Sequence, residues 1–258
     1  MKLEQANIQE RLESLARQPW AGRVFGAGGH RFVLNPPLDV NTIADFEKSH
    51  GVEFPEDYRY FISQIGNGGA GPAYGLFQFG KAEDEQTWES VPLGELNQPF
   101  PYSSTWNLDE SFWEQNQLEI PDGISREEEQ RIWKTRDDVL YENYWKPAIT
   151  CGAIPIADLG CGLSQWLVVC GDQQGYVWND HRADERGLIP LVDESGRQMT
   201  FTDWYLHWLE RSERGEGLLP NPKVRWQSSS QNSTWKDFLV LFALIVIGVL
   251  FGLAKAFF

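Results

Sequence analysis

Apolar positions fall into short strand-like runs in the middle of the chain and recur at helical spacing on either side. Residues 152–158 (GAIPIAD) and 165–170 (QWLVVC) are aliphatic and aromatic runs bounded by Gly and Asp, the pattern of strands. The loop Gly171-Asp172-Gln173-Gln174-Gly175 joins the second run to a third, Tyr176-Val177-Trp178-Asn179-Asp180, and its length predicts an antiparallel hairpin. Alternation puts Trp166, Val168 and Cys170 on one face and Leu167 and Val169 on the other. Both faces are apolar, so the hairpin is expected inside the sheet, covered on both sides.

The flanks read as helices. Leu3, Ile8, Leu12 and Leu15 recur at loosely helical spacing within residues 1–17, which lack the basic start and apolar block of a secretory signal, so the N-terminus is expected to stay inside the cell. Gly26-Ala27-Gly28-Gly29 predicts a turn between strands at 20–25 and 30–34. Asn41 or Thr42 is expected to cap a helix that presents Ile43, Phe46 and His50 until Gly51 stops it. Pro55 suits the start of a second helix, with Tyr58, Phe61, Ile62 and Ile65 on its buried face. Gly66-Asn67-Gly68-Gly69-Ala70-Gly71 matches G-x-G-x-x-G, but it follows a helix where a dinucleotide fingerprint follows a strand. Its glycines end the helix and turn the chain into a strand at 74–79. Ser125 followed by Glu128 is a capping-box signature for a helix over 126–144, with Ile132, Trp133, Val139 and Leu140 among its apolar contacts. Phe201, Trp204, Tyr205, Trp208 and Leu209 mark an amphipathic helix over 200–211.

The C-terminal part has a different character. Residues 213–234 are rich in Gly, Pro, Ser, Asn and Gln and are expected to form a flexible linker. About twenty flexible residues span on the order of 25 Å. Residues 235–258 then carry an uncharged run, 238–254, apolar all round, with Phe238, Leu239, Leu241, Leu244, Ile247, Leu250 and Leu253 among its members. At about 1.5 Å per residue this is roughly 25 Å, a slightly short transmembrane helix. Trp235 and Lys236 would mark one interface and Lys255 would snorkel at the other. Lys223, Arg225 and Lys236 before the span predict that residues 1–212 face the cytoplasm, on the inner (cytoplasmic) membrane, single-pass.

Composition narrows the function. With 258 residues, 41% of them hydrophobic, and twelve Trp, the chain can bury one substantial core, so residues 1–212 are expected to be one domain. The net charge of −15 and pI near 4.7 argue against nucleic-acid binding and suit a basic partner, or serve solubility alone. Cys151, Cys161 and Cys170 show no zinc-type spacing and are expected to be small buried thiols in a reducing compartment. No metal or cofactor is expected. Cys161, Asp180 and His181 bring a thiol, a carboxylate and an imidazole into one stretch, but nothing near them supplies an oxyanion hole or a positioned base, so no catalytic residue is assigned.

Several segments, taken in order, carry a resemblance. Phe54-Pro55-Glu56-Asp57-Tyr58 runs into Gly66-Asn67-Gly68-Gly69, followed later by Ile154-Pro155-Ile156-Ala157, Gly160-Cys161-Gly162, Trp166-Leu167-Val168-Val169, Gly175-Tyr176-Val177-Trp178-Asn179-Asp180 and Gly187-Leu188-Ile189-Pro190-Leu191. The combination resembles the SUKH superfamily over residues 38–210, interrupted by an insertion at 81–147. The resemblance implies an α+β fold: a single SUKH-like domain with a mainly antiparallel sheet flanked by helices, here followed by the C-terminal transmembrane helix. It implies a non-enzymatic binding protein, an immunity protein that neutralises a polymorphic or contact-dependent toxin by direct contact. A membrane-tethered regulatory scaffold of cell-envelope processes is the alternative. The partner-binding residues are expected on the acidic rim of the central hairpin, Asp172, Asp180, Asp184 and Glu185, with Glu127, Glu128 and Glu129 as a second patch.

Overall fold

The computed structural model describes residues 3, 6–79 and 93–219. The four strands are β1 (Ala153–Gly160), β2 (Leu163–Val168), β3 (Val177–His181) and β4 (Gly187–Pro190), an antiparallel meander in the order β1-β2-β3-β4. Register is set by Ile154 opposite Leu167, Trp166 opposite Trp178, and Trp178 opposite Pro190. β1 shifts register between Pro155 and Ala157, where a proline interrupts the ladder.

The alternating side chains of this sheet feed two separate cores. Ile154, Ile156, Leu167, Val169 and Val177 face a large cluster with Leu12, Leu15, Phe61, Phe201, Tyr205 and Leu209. Ala153, Trp166, Val168, Trp178 and Leu188 face the other way, onto Phe100 and Ile149. A sheet apolar on both faces has to be covered on both. The first cover begins with three helices, α1 (Ile8–Ala16), α2 (Val40–His50) and α3 (Glu56–Tyr60), the last continuing as a π turn, Phe61–Ile65. The expected cap of α2 moves to Asp39, whose carboxylate accepts from the Asn41 N–H at 2.8 Å.

The second cover comes from the insertion. Phe100 N–H donates to the Cys170 carbonyl and Gly152 N–H to that of Glu95, while Trp106 exchanges two bonds with Leu188 at 2.9 and 2.8 Å along the β4 edge. The insertion also carries α4 (Glu110–Gln115) and α5 (Arg126–Leu140). The capping box of α5 forms as expected, the Ser125 hydroxyl accepting from the Glu128 N–H at 3.2 Å. Its last turn, expected as α-helix, is a π turn, Tyr141–Trp145. Ile132, Val139 and Leu140 are half-buried, whereas Trp133 faces solvent.

The last helix, α6 (Phe201–Glu213), lies over the larger core. It opens with a capping box of Thr200 and Asp203, and Tyr205 Oη donates to the Ala70 carbonyl at 3.0 Å. Asp57 of α3 ties the two helices, accepting from the Thr202 N–H and hydroxyl at 3.0 and 2.8 Å.

Three further expectations change. Residues 20–34 form helical turns, Ala21–Arg23 and Ala27–His30, rather than two strands: the glycines bend the chain tightly, and only Leu34 reaches a bridge, to Gly69. Residues 74–79 are extended but pair through single bridges, Leu76 to Gly69 and to Ala157. Residues 213–219, expected in the linker, are folded, because Arg11 holds Glu213 with bonds of 2.8 and 2.6 Å and the Leu219 N–H donates to Arg23. The rest of the expected linker and the expected membrane helix lie outside the described residues. Among the described residues no helix is long and apolar enough to cross a membrane.

Candidate functional site

The acidic residues expected to share one rim are divided by the fold. Asp172 is exposed in the β2–β3 loop. In the same loop Gln174 donates to the Glu53 carbonyl at 2.9 Å, which places the loop beside an open groove lined by Glu47, Glu53, Phe54, Glu56 and Arg59. Asp180, Asp184 and Glu185 lie at the opposite end of β3, because the strand separates them from the loop.

Asp180 is not on that surface. Its carboxylate accepts from the backbone N–H of Arg182 at 3.0 Å and from Arg182 Nε and Nη2 at 2.9 and 2.6 Å. A buried carboxylate needs such a partner, and this pair neutralises its charge inside the protein. Arg182 Nη1 donates to the Tyr144 carbonyl at 3.0 Å, and its guanidinium lies 4.8 Å from the Trp145 ring centroid. The pair therefore fastens the insertion to the end of β3. Burial pushes the Tyr144 phenol well above its ordinary range, and its hydroxyl donates to Asn107 Oδ1 at 2.8 Å.

Asp184 and Glu185 are exposed on the turn between β3 and β4. Hydrogen bonding from Arg186 holds the Asp184 carboxyl below the usual carboxylate range. Glu185 pairs with Arg136 of α5 at 3.1 Å. This contact brings the β3–β4 turn and the insertion helix to one side of the fold. Glu127 and Glu128 are exposed and Glu129 half-buried on the first turn of α5, roughly 12 Å along the axis from Arg136.

The Cys161, Asp180, His181 grouping does not assemble into a relay. Both carboxylate oxygens of Asp180 are taken by Arg182, and His181 Nδ1 accepts from Arg186 at 2.7 Å. Cys161 is exposed at the β1–β2 turn, not buried as expected, and Cys151 and Cys170 are half-buried; all three thiols are free. The turn between glycines 160 and 162 leaves no core for the Cys161 side chain to enter. Among the described residues no group of His, Cys, Asp and Glu could hold a metal ion.

Two features escaped sequence reasoning. The Asp180–Arg182 pair has an i, i+2 spacing that is too common to signal burial. The i, i+4 spacing of Trp133, Tyr141 and Trp145 is visible in the sequence, but their exposure is not, because large rings on a helix are ordinarily core.

With this geometry in view, the family comparison is informative. The model of the SMI1/KNR4 family (SUKH-1) matches residues 37–195, well over half of the chain, taking in α2, α3, the insertion and the whole sheet. The match stops before α6. No curated protein and no solved structure matches the chain.

Proposed function

Because the chain belongs to the SMI1/KNR4 family (SUKH-1), we propose that it is an immunity-type binding protein that neutralises a toxin by direct contact, held at the inner membrane by a C-terminal helix. The observation that carries this reading is the family match itself, since SUKH proteins are consistent with immunity roles. The net charge of −15 supports a basic partner, whose approach it would accelerate by steering. Docking on the toxin would block its access to substrate, with no covalent step.

The uncharged run 238–254 supports the anchor, and the basic residues before it support a cytoplasmic domain. Such an anchor would raise the local concentration of inhibitor where a toxin enters. Resistance of the full chain to carbonate extraction from membranes, lost on truncation after Arg225, would agree with the anchor; extraction of the full chain would count against it.

The binding reading is tested by growth. Cells expressing the C-terminal domain encoded by the adjacent upstream gene are compared with and without this protein. Rescue supports immunity. Toxicity without rescue favours the regulatory scaffold.

A further inference from the structure

Helix α5 contains no buried residue along its fifteen positions. It rests on the fold through half-buried Ile132, Arg136, Val139 and Leu140. The adjoining, solvent-facing side carries Trp133, 42% exposed, and continues into the π turn with Tyr141 at 52% and Trp145 at 37%. Helix positions four apart are neighbours, each step advancing about 40° round the axis, so Glu129, Trp133, Asp137, Tyr141 and Trp145 follow one another along a ridge that winds partly round the helix and interleaves carboxylates with rings. Each of the three rings keeps between 37% and 52% of its surface in water, and three along one ridge form an exposed patch of the kind that marks an interaction site.

The chemistry of the ridge selects its partner. Ring faces and carboxylates both attract cations. Two of the helix's four cations are committed elsewhere, Lys134 to Asp138 at 2.8 Å and Arg136 to Glu185 at 3.1 Å, while Arg126 and Arg131 form no ion pair among the described residues. Neither Glu129 nor Asp137 has an ion-pair partner among the described residues. At the far end Arg182 already seats its guanidinium on Trp145, so one ring of the ridge takes a cation within the fold itself. Carboxylates between the rings oppose polyanions such as nucleic acid.

We infer that this ridge is a docking surface for a basic protein, which lays Arg or Lys side chains over Trp133 and Tyr141 and against Glu129 and Asp137. The inference rests on the immunity-type reading only in taking the partner to be a protein. It is tested on the full chain in neutral detergent by fluorescence anisotropy with a labelled oligo-arginine peptide, against an oligo-glutamate control. W133A/Y141A and E129Q/D137N should each weaken oligo-arginine binding about tenfold or more, whereas E53Q/D172N, at the other end of the hairpin, should leave it unchanged. Circular dichroism melts of the variants check that the exposed substitutions leave the fold intact. The inference is overturned if the full chain does not bind the peptide, if the ridge variants bind as tightly as the unaltered chain, or if E53Q/D172N loses as much. It is equally overturned if the ridge substitutions abolish adsorption to phosphatidylcholine vesicles but not peptide binding.

The growth assay separates this inference from the reading beneath it. Rescue that persists in both ridge variants moves the docking surface elsewhere and leaves immunity standing. Ridge-dependent peptide binding, with no rescue by the unaltered chain, supports the ridge and sinks the immunity reading.

Discussion

Arg182 grips Asp180 through two side-chain bonds of 2.9 and 2.6 Å, with only 6% and 5% of the two side chains exposed. Two charges are thereby taken out of water at the junction between the sheet and the insertion. Removing one partner leaves the other buried and uncompensated. Asp180→Ala should therefore cost about 3–5 kcal/mol, and the double variant Asp180→Leu/Arg182→Met should recover most of it. Urea unfolding of the three proteins checks this; equal losses in single and double variants would show that shape, not charge, sets the cost.

The insertion acts as part of the core. Phe100 is buried against Trp178 with ring centroids 4.9 Å apart. Phe100→Ala should cost about 3–5 kcal/mol, comparable to an aromatic deletion in the larger core such as Phe201→Ala. Thermal unfolding measures both. A loss below about 1 kcal/mol at Phe100 would make the insertion a detachable appendage.

Gly187 is where the insertion meets the sheet edge. Its φ is 77°, and an added Cβ would collide with the Trp106 carbonyl that accepts the Leu188 N–H. Gly187→Ala should destabilise by roughly 1–3 kcal/mol and speed exchange of the Trp106 and Leu188 amides. Unchanged exchange would mean the edge tolerates the shift.

His30 makes the fold acid-sensitive. Its Nδ1 accepts the Phe32 N–H at 3.0 Å, which requires the neutral ring, and burial pushes its pKa from 6.5 down to about 4. The unfolded chain takes up this proton first as pH falls. The contribution, up to about 3 kcal/mol, is thus fully present above pH 6.5 and lost as pH drops toward 4. His30→Gln should flatten the decline in urea midpoint over that range. Parallel profiles for the two proteins would remove His30 as the cause.

Much of this was legible from local patterns. The alternation of Trp166, Leu167, Val168 and Val169 foretold a hairpin covered on both faces, and Ser125 with Glu128 foretold the start of α5, since each depends only on neighbours in the chain. The same holds for the stripe of Phe201, Trp204, Tyr205 and Leu209. Family membership, too, was carried by short segments in order.

What covered the second face of the sheet was decided only in three dimensions. The pairing of Trp106 with Leu188 joins residues far apart in sequence, and no local signal records it. Whether Asp180 served as a surface charge or a buried one depended on Arg182 folding back beneath Tyr144 and Trp145. The division of Asp172 from Asp184 and Glu185 followed from the length of β3, and the exposure of Trp133 from the side on which α5 settled. Sequence by itself determined the central hairpin, the helices begun at Ser125 and Thr200 and what family they compose, because those follow from periodicity and short motifs, but not the helical turns that residues 20–34 form in place of strands. Tertiary structure alone decided which charges and rings remained at the surface, because burial is set by partners that the chain brings together from a distance.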